Sequence, residues 1–210
     1  MSVEVRSGPR GLELAFAGDA RGASIDIDEI RRRLKQGRRL ALARACGALD
    51  GARVLDAMAG LGIDGVTLAC LGAHVTLVER ERSTYAVLCD GLARARAELA
   101  PRGTLECVHA DAADVLRTAP YDVIYFDPMF PQRRKSALPR LRAQLLGAAA
   151  TGEAELPSLI EAARRVARVR VVVKRRAKGP SAVAPDWTVR GKSVRFDVYA
   201  AASTEPSPEP

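Results

Sequence analysis

The chain has 210 residues, 48% of them hydrophobic and 28% charged, a length that suits one α/β domain with appendages and excludes two full domains with separate cores. No run approaches the roughly 20 apolar residues that span a bilayer, and positions 1–10 hold no apolar segment of the signal-peptide kind, so the expectation is a cytoplasmic protein without a membrane partner. A formal net charge of +8 favours a polyanionic partner, because clustered Lys and Arg gain affinity by releasing counterions from phosphates.

Positions 1–23 carry Gly8, Pro9, Gly11, Gly18 and Gly22 among weakly alternating residues, which predicts a hairpin or an irregular arm. Over 26–46, Ile30, Leu34, Ala41 and Ala45 recur at helical spacing among Arg31, Arg32, Arg33, Lys35, Arg38 and Arg39, which predicts a basic amphipathic helix that Gly37 can break. Positions 53–56 read as a short strand, followed by a loop over 57–62 and a short helix over 64–71 that stops at Gly72. A second strand is expected over 74–79. Ser83 is the expected cap of a long helix whose Leu88, Leu92, Ala95 and Leu99 share one face and which Pro101 ends.

A third strand is expected over 104–108 and a fourth over 121–126, the latter a continuous apolar run of the kind buried on both faces of a parallel sheet. Positions 157–168 predict a helix with Pro157 in its first turn, and 169–173 a fifth strand. Positions 187–190 and 195–200 can pair as a terminal hairpin. Strands alternating with helices specify right-handed βαβ units and a mostly parallel sheet, with ligands at the carboxyl ends of its strands. The expected organisation is a short N-terminal arm over 1–30, a catalytic domain over 31–202 and a disordered Pro, Ser and Glu tail over 203–210.

Cys46, Cys70, Cys89 and Cys107 form no CxxC pair, and His74 and His109 stand alone, so the cysteines read as reduced core thiols and no metal is expected.

The loop after the first strand reads Asp56-Ala57-Met58-Ala59-Gly60-Leu61-Gly62-Ile63-Asp64-Gly65. Gly60, Gly62 and Gly65 satisfy the dinucleotide fingerprint, and Glu79 ends the second strand where a ribose-binding acid belongs. Asp56 and Asp64 flank this loop, however, where the pyrophosphate of a dinucleotide would be repelled. S-adenosylmethionine (SAM) carries a sulfonium and an ammonium group and no phosphate, so the same carboxylates attract it. A dehydrogenase would also need a substrate domain for which this chain has no residues.

Asp127-Pro128-Met129-Phe130 ends the fourth strand. It resembles the (Asn/Asp)-Pro-Pro-(Tyr/Phe) signature of methyltransferases that act on exocyclic amines of bases, with Met129 in place of the second Pro. The residue types suit that chemistry. The lone pair of a base amine is delocalised into its ring, and acceptors on the N–H groups, here the Asp127 carboxylate and the Pro128 carbonyl, can orient the nitrogen and localise the pair. Pro128 fixes the turn, and Phe130 offers a face on which an extruded base stacks.

Over positions 31–199 the chain resembles the ribosomal RNA small subunit methyltransferase J family, which methylates guanine N2 in 16S ribosomal RNA. The matching segments are 56–64 (DAMAGLGID), 77–80 (LVER), 90–94 (DGLAR), 125–138 (YFDPMFPQRRKSAL), 171–175 (VVVKR) and 195–199 (RFDVY). Met58 stands where the family usually has Thr, and Ile63 where it has Arg. The resemblance implies a Rossmann-like class I SAM-dependent methyltransferase, with a mostly parallel sheet and a C-terminal antiparallel hairpin. It implies cofactor contacts at Ile63 and Asp64, Glu79 and Arg80, Asp111 and Ala112, and Asp127, beside the loop residues Asp56, Gly60 and Gly62. Asp127, Pro128 and Phe130 are the expected catalytic residues, and Arg133, Arg134, Lys135 and Lys174 the expected phosphate contacts on 16S rRNA or the small subunit. Other readings are a methyltransferase of adenine N6 or of a protein glutamine, a non-catalytic RNA-binding module, and an NAD enzyme.

Overall fold

Seven short apolar runs, few of them longer than six residues, pair into one sheet that helices cover on both faces. A computed structural model describes residues 2–117, 120–128, 145 and 155–202. Its elements are β1 (Val3–Gly8), β2 (Gly11–Phe16), β3 (Gly22–Ala23), α1 (Ile27–Leu34), a 3-10 turn (Gly37–Arg39), α2 (Ala41–Cys46), β4 (Arg53–Asp56), α3 (Ile63–Cys70), β5 (His74–Glu79) and α4 (Arg82–Leu99). There follow β6 (Leu105–His109), α5 (Ala112–Val115), β7 (Val123–Phe126), α6 (Leu156–Val166), β8 (Arg170–Arg176), β9 (Trp187–Arg190) and β10 (Val194–Ala200).

The large sheet has the order β6-β5-β4-β7-β8-β10-β9. Its first five strands are parallel, and β10 lies antiparallel to both β8 and β9. The expected terminal hairpin is therefore present, with β10 inserted against β8. Side chains alternate across the sheet as the two-residue period of a strand requires. Val54, Leu77, Tyr125 and Val172 enter a core closed by α1 to α4, and Leu55, Val78, Ile124, Phe126, Val171 and Val173 enter a second core closed by α5 and α6. β7 is buried at every position, which is why it shows no polar alternation.

β1, β2 and β3 form a separate antiparallel sheet that docks on α4. Leu14 and Phe16 pack with Leu61, Val87 and Leu145, and the Leu12 N–H donates to Asp90 Oδ2 at 3.0 Å. The basic segment is two helices. Asp26 caps α1 by accepting from Glu29 N, and Gly37, at φ +53°, turns the chain before α2. Ser83 is not the cap of α4, which begins at Arg82 with Glu81 as its N-cap. Glu79 Oε1 accepts from Glu81 N at 2.8 Å, so the turn is set two residues upstream and Ser83 falls inside the helix. The segment 203–210, expected as a tail, lies outside the described residues.

Candidate active site

The strand order reverses between β4 and β7, since β5 and β6 continue from β4 to one side and β8 and β10 from β7 to the other. Adjacent loops diverge at such a point and leave a crevice at the carboxyl ends of the strands. An open cleft with about 360 Å³ of empty space lies there, lined by Asp56, Met58 to Asp64, Tyr125 and Asp127. Its glycine loop is pinned to two strands, β7 and β5: Ala57 N donates to Tyr125 O at 2.9 Å, Ala59 N to Val78 O at 3.0 Å, and Gly60 N to Glu79 Oε2 at 3.0 Å. Gly60 and Gly62 have φ of +54° and +78°, and a Cβ on Gly62 would stand 2.6 Å from Leu88 Cδ1, so the turn needs glycine for both its backbone and its packing.

A charged network forms one wall of the cleft. The Lys174 ammonium donates to Asp64 Oδ2 and to Asp127 Oδ2, each at 2.7 Å, and Tyr125 OH donates to Asp64 Oδ2 at 2.6 Å. Arg33, from α1, donates to Asp64 Oδ1 and to Glu29. Burial disfavours the charge on Asp64, but Lys174 and Arg33 outweigh it and hold the carboxyl well below the ordinary range. Burial also works against the Lys174 ammonium, and Asp127 and Asp64 outweigh it and raise its pKa above the usual lysine value. Asp56, the last residue of β4, is 1% exposed, and its Oδ1 has no hydrogen-bond partner among the described residues. Burial first, then the charges of Asp64 and Asp127, push its pKa well above the usual carboxylate value.

Glu79 ends β5 beside the loop with one oxygen on Gly60 N and the other on Glu81 N, and burial raises its pKa despite these bonds. Asp111 follows β6, caps α5 through Ala113 N at 2.9 Å and stands 3.8 Å from Arg80 Nη1. Arg80, after β5, thus sits one strand further out than the glycine loop that follows β4, and Asp111 and Ala112, after β6, two strands further out; none of the three lines the cleft itself.

The donor set fits a cationic ligand with a sugar. The cleft offers the carboxylates of Asp56, Asp64 and Asp127, one of them with a buried oxygen still to be satisfied, while Glu79 keeps spare lone pairs for hydroxyl donors. An anionic pyrophosphate would meet the same carboxylates with repulsion.

The structure brings together Asp56, Gly60, Gly62, Ile63, Asp64 and Asp127 at the cleft, with Pro128 next to it in the chain. Phe130, Arg133, Arg134 and Lys135 lie outside the described residues. Lys174 differs from the expectation that it contacts phosphate. Its side chain is 15% exposed and its ammonium is bonded to two carboxylates, so it belongs to the cleft wall rather than to an RNA-facing surface. Arg33 and Tyr125 were not anticipated. Tyr125 shares a strand face with Asp127, two residues on, and the register Phe126↔Val173 sets Lys174 beside Asp127, a signal readable only once β7 and β8 are known to pair.

A family model for SAM-dependent methyltransferases matches residues 20–201. The ribosomal RNA small subunit methyltransferase J of Dechloromonas aromatica is 39% identical over 95% of this chain and 88% of its own. That of Chromohalobacter salexigens is 41% identical over 94% of this chain and 85% of its own. Among solved structures, a SAM-dependent methyltransferase from Neisseria gonorrhoeae superposes with a TM-score of 0.73 at 27% identity, covering 94% of this chain and 82% of its own. A 16S rRNA N2 methyltransferase from T. thermophilus, solved with AdoMet and guanosine, shares the fold at a TM-score of 0.52 and 18% identity, over 96% of this chain and 50% of its own.

Proposed function

The chain belongs to the ribosomal RNA small subunit methyltransferase J family, and from that premise we propose that its cleft methylates the exocyclic N2 amine of a guanine in 16S rRNA. The protein is a SAM-dependent rRNA methyltransferase; the proposal concerns the atom that is methylated and the residues that act. It rests on one observation. The glycine loop at the end of β4 and Asp127 at the end of β7 open into the same cleft from neighbouring strands.

Bound SAM supplies an electrophilic methyl group on a sulfonium. On this reading Glu79 accepts from ribose hydroxyls, Asp111 from the adenine amine, and the unpartnered Asp56 Oδ1 from an ammonium donor. Ile63, Arg80 and Ala112 complete the cofactor contacts. Asp127 and the Pro128 carbonyl accept from the two N–H groups of the guanine amine, which fixes the nitrogen and localises its lone pair, and Phe130 stacks on the base. Lys174, bonded to Asp127 Oδ2, holds that carboxylate in its orientation. As the nitrogen acquires positive charge, Asp127 takes up its proton. Alignment of this kind is worth up to roughly 7 to 11 kcal/mol of barrier.

Single-turnover methyl transfer at saturating SAM tests the assignment. Asp127→Ala should slow transfer by about 10² to 10⁴, the range for losing a positioned proton acceptor, while the protein remains folded. A rate within about threefold of wild type would remove Asp127 from the mechanism.

A further inference from the structure

The β9–β10 turn, the chain after β8 and the 3-10 turn before α2 meet at one place. The register Val194↔Arg176 and Arg195↔Arg190, with β8 parallel to β7, puts residues 191–193 at the carboxyl end of the parallel strands, the same end as the cleft. A Cβ built on Gly191 would stand 3.5 Å from the Ala41 Cβ, which brings α2 and the preceding Arg38 and Arg39 against this turn. Ala177 N reaches Ser193 O at 3.4 Å, and Arg195 Nη1 donates to Gly179 O at 2.6 Å, so the segment after β8 is tied to the same corner.

This corner carries Arg38, Arg39, Lys178, Arg190 and Lys192, all exposed. None of the five is ion-paired with a carboxylate among the described residues, and positions 35–41, 174–182 and 188–195 contain no Asp or Glu. Some other exposed arginines of this fold are compensated instead, although Arg10, Arg44, Arg82 and Arg165 have no ion pair among the described residues. Arg21, Arg31, Arg102 and Arg117 each have a carboxylate within 3.1 Å. A cluster left uncompensated on a backbone held by side-chain bonds keeps its charge for an external anion.

The geometry points to this corner as the rRNA-docking surface: cations from three chain segments grip the phosphate backbone and feed the target nucleotide into the adjoining cleft. The inference rests on RNA being the substrate and adds where it docks. It is independent of Arg133, Arg134 and Lys135. Phosphate contacts of this kind position a nucleic acid without reading its sequence, and each one adds to the salt dependence of binding.

Anisotropy titrations of a labelled small-subunit rRNA transcript over about 50 to 200 mM salt test it. The variant Arg38→Gln, Arg39→Gln, Arg190→Gln, Lys192→Gln should bind about tenfold or more weakly, with the log–log salt slope reduced by about 3, since each phosphate contact contributes about 0.7 to 0.9. SAM affinity, measured by calorimetry without RNA, should not change. A second variant, Arg10→Gln, Arg102→Gln, Arg117→Gln, Arg165→Gln, removes the same charge elsewhere and should bind RNA much as wild type does. An unchanged slope in the first variant, or an equal loss in the second, overturns the docking surface alone. Absence of salt-dependent binding by the wild-type protein overturns the RNA reading and the surface together.

Discussion

Asp56 ends β4 with a buried oxygen that no described donor reaches, and its pKa is raised chiefly by burial. An acid whose folded pKa lies above its unfolded value, about 3.9, contributes stability that is fully present below that pH and lost as pH rises through the folded pKa. Asp56→Asn carries no such loss. It should therefore melt about 2–4 °C above the SAM-free wild type near neutral pH, the shift expected per kcal/mol for a chain of this size, with the difference vanishing towards about pH 4. The same change should weaken SAM binding in calorimetry, a gain of stability at the expense of function. A variant that melts lower than wild type at neutral pH contradicts this account of Asp56. Lys174 presents the opposite case. Its raised pKa keeps it charged up to and beyond its unfolded value, and the depressed pKa of Asp64 keeps that carboxylate ionised well below its own, so the pair is intact across the neutral range. Lys174→Met leaves Asp64 and Asp127 without their shared cation and should cost about 3–5 kcal/mol in urea unfolding, a deficit that shrinks on acidification as a carboxylate regains its proton. A loss below about 1 kcal/mol would show that the network contributes little to stability.

The glycine loop owes its shape to the start of α3. Gly62, at φ +78°, starts that helix and lies against Leu88 of α4 and Leu77 of β5. Gly62→Ala should destabilise the protein by about 1–3 kcal/mol through strain, with a further loss from the clash, and should weaken SAM binding because the loop must move. Gly18→Ala, at φ +81° with nothing within 4 Å, isolates the backbone contribution, and a Gly62→Ala penalty no larger than that of Gly18→Ala would contradict the packing argument. Where sequence reading succeeded and where it failed follows the range of the forces involved. The strands 53–56, 74–79 and 187–190 agree with β4, β5 and β9 residue for residue, because Gly, Pro and charged residues bound each short apolar run. Helix starts were harder. Ser83 and Glu81 both lie near the start of α4, and a hydrogen bond from Glu81 N to Glu79 decides the matter. α5 has four residues, too few to show a helical period. The cleft carboxylates were legible from their local motifs, whereas Arg33 and Lys174 reach Asp64 across 31 and 110 residues of chain, so their roles depend on packing that no local pattern records.

At the scale of the molecule, the N-terminal sheet shares one small core with the glycine loop and α4. Leu14 and Phe16 of β2 meet Leu61, a residue of the glycine loop, so the antiparallel sheet buttresses the loop while β5 and β7 hold it by hydrogen bonds. No described helix is long and apolar enough to cross a membrane. The cleft, with its carboxylates, and the exposed cations beside it separate the two electrostatic tasks of the reaction, acceptance of a cationic cofactor and attraction of a polyanion. Both serve one claim, that the methyl group goes to the N2 amine of a guanine. The direct test supplies the purified protein with methyl-labelled SAM and either small subunits or free rRNA from cells lacking the enzyme, then digests the RNA and identifies the labelled nucleoside by mass spectrometry. N2-methylguanosine is the predicted product, absent with Asp127→Ala on the same time scale; label in N6-methyladenosine, in protein, or in no product would contradict the account.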